Sequence, residues 1–295
     1  MAKINGTYVS LHEEGGGSPY YTEGLEFEHT LCLADCFEKT GGLDQSDTYQ
    51  FKGIPFENKE ASEAKMRETE ALFDGKIPAK TLLFTESNSA HHLTYFYVKE
   101  AKKSLSDNDK LLVINFDQHL DTGSSDSAFY CGSWGGNRIC QAVGCDYLAV
   151  GPKYIGRTDF GSLAEYFEYK KQNAGKPAHP YAVKLYTSDG SVVSCEAASP
   201  QSLYDRYDKI YVTVDMDVLT CGEDLKRTNW GSGNMSLNQL KSLLSELPAN
   251  KLIAADITGF PPVNSEKAEN FKELLSSYID EIRELSEILR AHLDA

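Results

Sequence analysis

No stretch of this chain approaches the roughly 18 consecutive apolar residues that a membrane-spanning helix needs. The opening "MAKINGTYVSLHEE" lacks the apolar region of a secretory signal, so the expectation is a cytoplasmic protein with no membrane partner. None of the seven cysteines forms a CxxC pair, which argues against a structural zinc knuckle. Their odd number and the missing export signal fit reduced thiols. Internal repeats, low-complexity runs and Pro/Ser-rich linkers are absent. Positive charge is scarce: 29 Lys and Arg stand against 44 Asp and Glu, a net charge of −15. That balance repels nucleic acid and suits a cationic substrate drawn to an acidic cleft.

What is present is ordinary for a globular protein. The 295 residues are 41% hydrophobic and 25% charged, enough for one large α/β domain or two small ones. From about residue 80, short apolar or β-branched runs read as strands: "TLLF" (81–84), "LLVINF" (111–116), "YLAV" (147–150), "YAVKLY" (181–186), "KIYVTV" (209–214) and "KLIAADI" (251–257). Helical patterns lie between them: "HHLTYFYVKEAKKSL" (91–105), "SLAEYFEYKKQ" (162–172) and "MSLNQLKSLLSEL" (235–247), the last with Ser236 as N-cap. The segment 265–293 reads as one long amphipathic helix. Alternating strands and helices, with near-continuous apolar strands, imply a parallel sheet covered on both faces. Ligand sites in such folds lie beyond the carboxyl ends of the strands.

Three of those strand ends carry metal-capable side chains. After "LLVINF" come Asp117, His119 and Asp121; after "KIYVTV" come Asp215 and Asp217; past "TLLF" comes His91, followed by His92. One such loop alone reads equally as polar surface. Three at one rim supply what a metal site requires, because a single loop cannot surround an ion. Two imidazoles and four carboxylates are too oxygen-rich for structural zinc and suit Mn²⁺. Four crowded carboxylates repel one another unless cations sit between them. Two divalent ions balance the four charges, as in two-metal sites about 3.5–4 Å across that activate a water.

"FDQHLD" with "VDMDVL" downstream resembles the motifs D-A-H-x-D and S-F-D-x-D-x-L-D-P of the arginase/agmatinase ureohydrolase superfamily. "SAHHLTYF" is similar to the upstream motif that carries the first histidine, with His91 as the ligand and His92 as the alternative. "GSGNMSLNQL" and "LIAADITGFPP" continue the family's order, so the resemblance spans roughly residues 80–265. It implies a three-layer arginase-like α/β fold with an eight-stranded, mostly parallel sheet. It further implies one domain over 1–295, with a poorly assigned N-terminal part (1–75) and a long terminal helix (265–295). The implied cofactor is two Mn²⁺ ions held by His91, Asp117, His119, Asp121, Asp215 and Asp217. Asp117 and Asp215 would bridge the ions, and Asp121 would be the catalytic residue that passes the proton. The "HH-apolar" helix start followed by strand-D-x-H-x-D is also similar to arginase-like proteins that include peptide arginases, which turn arginine residues of ribosomal peptides into ornithine.

Two positions depart from the family pattern. "CGSWGGNR" (131–138) places Gly135 where arginases carry a proton-handling histidine, and "DITGFPP" places Gly259 where a glutamate holds the guanidinium. Two glycines there imply a more open pocket, suited to a peptide-borne guanidino group. Trp134 and Trp230, in Gly-rich loops at the rim, are candidates for stacking on a planar cation, and Glu223 for a substrate-binding carboxylate, with Glu86 and Asp224 as further acids by location. Cys131 and Cys221 read as packing residues. By strand-like alternation, Gln118 and Leu120 turn away from the ions. The leading reading is a binuclear manganese hydrolase that splits a guanidino C–N bond, releasing urea and an amine such as ornithine. A metal-dependent hydrolase of a formimino or amide substrate, and a non-catalytic metal-binding relative, are the alternatives. The acidic surface and terminal helix are compatible with a monomer or an assembly.

Overall fold

The computed structural model describes residues 2–10, 25–32, 54–55, 59–123, 128–152, 183–193, 203–220, 232–260 and 268–295. Its strands are β1 (Ala2–Ser10), β2 (Leu25–Cys32), β3 (Ile54–Pro55), β4 (Leu82–Thr85), β5 (Leu111–Phe116), β6 (Ala128–Phe129), β7 (Asp146–Val150), β8 (Val183–Tyr186), β9 (Val192–Val193), β10 (Lys209–Asp215) and β11 (Leu252–Thr258). The helices are α1 (Lys59–Phe73), α2 (Thr94–Lys102), α3 (Asn137–Val143), α4 (Leu237–Ser245) and α5 (Ala268–Asp294). None is long and apolar enough to cross a membrane among the described residues.

The main sheet runs β2-β1-β4-β11-β10-β5-β7-β8-β9. Every pair from β2 to β7 is parallel, and β8 turns antiparallel against β7. The ninth strand is a two-residue edge piece, so the body is the eight-stranded, mostly parallel sheet expected.

Side chains alternate across this sheet and build a core on each face. Leu112, Ile114 and Phe116 of β5 and Ile210, Val212 and Val214 of β10 meet Leu240 and Leu244 of α4 and Ile282, Leu285 and Leu289 of α5. Leu111, Val113 and Tyr211 face the other way, toward Phe96, Tyr97 and Val98 of α2 and Ile139 of α3. Ser236 caps α4 as expected: it accepts from the Gln239 amide while the Gln239 side chain accepts from its own, a full capping box. The segment expected as a helix over 162–172 lies outside the described residues.

The structure adds order where the sequence left a blank. β1 and β2 join the main sheet, β1 lying between β2 and β4. The β1 pattern was hidden by Asn5-Gly6 in its middle, where the register shifts between Ile4 and Thr7. Gly6 is needed because a Cβ there would stand 2.5 Å from the Phe84 ring and 2.8 Å from the Leu82 carbonyl. The helix expected from His91 is also divided. A 3₁₀ turn, Asn88–Leu93, precedes α2, and the Ser87 hydroxyl caps it by accepting from the Ser89 amide.

Candidate metal centre

β5 and β10 are register neighbours, with Thr213 opposite Asn115 and Val214 opposite Phe116. They therefore end level, and the residues just past each end share one rim. Both strands leave the sheet through the same device. The first aspartate turns back on the chain: Asp117 Oδ1 accepts from the His119 amide at 2.7 Å, and Asp215 Oδ1 from the Asp217 amide at 2.9 Å. This Asx-type turn fixes each carboxylate and leaves its Oδ2 for other partners.

His91 is what those oxygens face. Its Nδ1 lies 3.0 Å from Asp121 Oδ2, 3.3 Å from Asp117 Oδ2 and 3.5 Å from Asp215 Oδ2. His119 does the same at the second position, with Nδ1 3.2 Å from both Asp117 Oδ1 and Asp217 Oδ2. Two ligand-capable groups result, His91–Asp117–Asp215 and Asp117–His119–Asp217, and they share Asp117. All six expected ligands are thus gathered at one place. His92 points elsewhere: its ring is fully buried, edge-on to Phe129. Burial first, then the neighbouring His91, pushes His92 down to about 3, so it stays neutral.

The layer beneath escaped the sequence reading. Asn115, Thr213 and Asp256 lie side by side on β5, β10 and β11, one row below the rim. Asp256 is completely buried and accepts from the hydroxyls of Thr94 (3.0 Å), Thr213 (2.8 Å) and Tyr211 (2.8 Å). The Thr213 hydroxyl, having spent its proton on Asp256, accepts from His91 Nε2 at 2.9 Å. Nε2 is thereby assigned a proton, which leaves Nδ1, turned toward three carboxylates, as the nitrogen that would bind a cation. The available signal was a polar residue interrupting each apolar run two places before an aspartate, as in Asn115 to Asp117 and Thr213 to Asp215.

The electrostatics of the cluster call for a cation. Burial, then Asp117, lifts Asp121 to about 7. The same two causes, opposed by hydrogen bonds from His119 and Gln118, lift Asp217 to about 6. Asp215 is raised well above the usual range by burial and by Asp217. Burial also acts on Asp117, but hydrogen bonds from His119 and His91 outweigh it and hold this carboxyl well below its usual value. His119 rises to about 12 because Asp117 and Asp217 overcome its burial. Asp217 Oδ2 is buried and lies 3.2 Å from His119 Nδ1. A donor set of four buried carboxylates and two imidazole Nδ1 atoms fits divalent cations.

Several expectations are corrected. Trp134 does not offer its face to a substrate. It is completely buried, tilted against the His91 ring at 5.0 Å and edge-on to Tyr147 at 5.5 Å, with its indole N–H on Asp121 Oδ2 at 2.6 Å. Gly135 does not open the pocket either. A Cβ there would stand 2.7 Å from the Tyr147 ring and hydroxyl, so the Tyr147 ring already fills the space a side chain would take. Tyr147 is tied down by donation to the Leu120 carbonyl at 3.0 Å and by acceptance from Asn115 Nδ2 at 2.7 Å. Gly259 has φ +98°, a conformation in which glutamate would be strained. Gln118 does not turn away, because the strand ends at Phe116: its side chain hydrogen-bonds Asp217, and its backbone N–H donates to Asp217 Oδ1 at 3.3 Å. Leu120 is buried in the core as expected. Cys131 is buried, and burial, then Asp121, raises its thiol well above the usual range, which suits a packing role. Trp230, Glu223, Asp224 and Cys221 lie outside the described residues.

No protein-family model matches the chain. An uncharacterised protein of Thermotoga maritima is 26% identical over 178 residues, 60% of this chain; the match spans 57% of that relative's length. Among solved structures, the native arginase of Bacillus caldovelox is similar with a TM-score of 0.50 at 13% identity, covering 98% of both chains. The arginase of Entamoeba histolytica in complex with L-ornithine has a TM-score of 0.48 at 15% identity, covering 96% of this chain and 98% of its own. The parallel sheet, its helical layers and the likeness to the Bacillus caldovelox enzyme together define an arginase-like α/β fold.

Proposed function

We propose that the protein is a hydrolase that uses two Mn²⁺ ions to split a C–N bond of a guanidino group, on a small cation or on an arginine side chain of a peptide. One observation carries this reading: His91 and His119 both turn Nδ1 onto buried carboxylates, and the two groups share Asp117. His91, Asp121, Asp117 and Asp215 would hold one ion and His119, Asp117, Asp215 and Asp217 the other. When bound, such ions neutralise the carboxylates and activate a water at neutral pH. Asp121 would take that water's proton. Thr213 and Asp256 keep the His91 ring in its ligating orientation, and Asn115 steadies Asp117 with a long hydrogen bond of 3.4 Å. Trp230 and Glu223 are proposed to contact the substrate.

A second reading draws on Gly135 and Gly259. At Gly135 the Tyr147 ring leaves no room for a histidine, and the φ of +98° at Gly259 would strain a guanidinium-binding glutamate. That favours a formimino or amide substrate, which needs no bidentate carboxylate. Glu86 is the described alternative acid: it is buried at the end of β4, its carbonyl accepts from the Phe260 amide, and Tyr8 donates to its carboxylate at 2.8 Å. The test is urea release by manganese-loaded protein from arginine, agmatine and arginine-containing peptides. Asp121→Asn should lower the rate about 10²–10⁴-fold. Activity on formimino or amide compounds without urea release selects the second reading, and a protein that binds no Mn²⁺ defeats both.

A further inference from the structure

Asp121 sits in an unusual conformation. Its φ is +55°, in the left-handed region that a non-glycine residue rarely adopts. Two backbone hydrogen bonds hold the surrounding loop to the segment that carries Trp134. The Gly123 amide donates to the Gly132 carbonyl at 2.7 Å, and the Gly135 amide to the Asp121 carbonyl at 2.8 Å. Trp134 falls between these clasps, directly opposite Asp121. Its ring is fixed by Tyr147 and His91, and its only polar atom meets Asp121 Oδ2 at 2.6 Å, a charge-assisted geometry. The same Oδ2 is the oxygen that faces His91 Nδ1.

We propose that Trp134 is a positioning residue: its indole N–H selects the rotamer of Asp121, assigning Oδ2 to the ion shared with His91 and leaving Oδ1 for the proton. This rests on the metal-centre reading above. A tryptophan that merely filled the core could satisfy its N–H on any nearby acceptor, a backbone carbonyl included. Here the donor is aimed at an expected ligand that no Asx-type turn fixes. Asp117 and Asp215 are set by their own chain, whereas the chain at Asp121 is strained, so its carboxylate needs an outside donor.

Two measurements decide it. Protein labelled with ¹⁵N-indole tryptophan has two side-chain N–H resonances, from Trp134 and Trp230, and Trp134→Phe identifies the first. The Trp134 resonance should lie downfield of the other and move upfield in Asp121→Asn, where a charged acceptor becomes a neutral one. Calorimetric titration with Mn²⁺ should give an affinity about 10–100-fold weaker in Trp134→Phe than in the wild type. An indole resonance indifferent to Asp121→Asn overturns the proposal even if Trp134→Phe fails to fold. Unchanged Mn²⁺ affinity in a folded Trp134→Phe overturns it as well and leaves the metal centre standing. Wild-type protein that binds no Mn²⁺ overturns the metal centre itself, and with it the purpose assigned to the clamp.

Discussion

At the scale of the residue, the site has two layers with different visibility. Asp117, His119, Asp121, Asp215 and Asp217 follow strands directly, so local pattern alone placed them. Thr213 and Asp256 matter through contacts 122 and 43 residues apart in sequence, and only the sheet register brings those together. Thr213→Val keeps the shape and removes the hydroxyl. It leaves His91 Nε2 without its acceptor and Asp256 with one donor fewer. We expect a cost of about 1–3 kcal/mol in stability and a 10–100-fold loss of Mn²⁺ affinity, read by denaturant unfolding and calorimetry. Unaltered affinity would mean that His91 is not held for a metal. Gly135→His tests the neighbouring departure from the family pattern. Because Tyr147 occupies the space, the new ring should overpack the loop, costing about 1–3 kcal/mol and restoring no activity. A variant as stable as the wild type would show that the pocket has room.

At the scale of the element, long patterned segments were legible and interrupted ones were not. β5 spans the residues its apolar run marked, and Ser236 caps α4 as its side chain suggests. β1 was missed because Gly6, required by Phe84, breaks the alternation that identifies a strand. The terminal helix shows how much an element depends on its partner. Tyr278, Ile282, Leu285, Leu289 and Leu293 of α5 are buried along one face that packs on the sheet and α4. Leu285→Ala should therefore cost about 2–5 kcal/mol in denaturant unfolding, whereas an exposed helix face would lose far less. A loss below about 1 kcal/mol would contradict that packing.

At the scale of the whole molecule, the buried carboxylate cluster couples stability to pH. Asp121 and Asp217 are lifted from 3.8 to about 7 and about 6, so the folded, metal-free protein keeps protons that the unfolded chain releases. Their contribution is full below the unfolded value of 3.8 and is lost as pH rises through about 6 to 7. His119, raised from 6.5 to about 12, acts in the same direction above neutrality. Asp117, held low, acts in the opposite direction, but only toward strong acid. The melting temperature of metal-free protein should therefore fall between about pH 5 and 8. Stabilisation by added Mn²⁺ should grow over the same interval, since ion and proton compete for the same oxygens. Calorimetric scans with and without Mn²⁺ test both slopes, and parallel curves would separate the carboxylates from metal binding. The sequence by itself determined the class of fold and the rim residues, because periodicity and strand-end chemistry are local properties of the chain. Tertiary structure alone decided that His91 rather than His92 faces the carboxylates, that the buried Trp134 turns its indole N–H onto Asp121, and that Tyr147 closes the space beside Gly135. Each of those depends on which side chains the parallel register sets against one another, and register is a property of the assembled sheet.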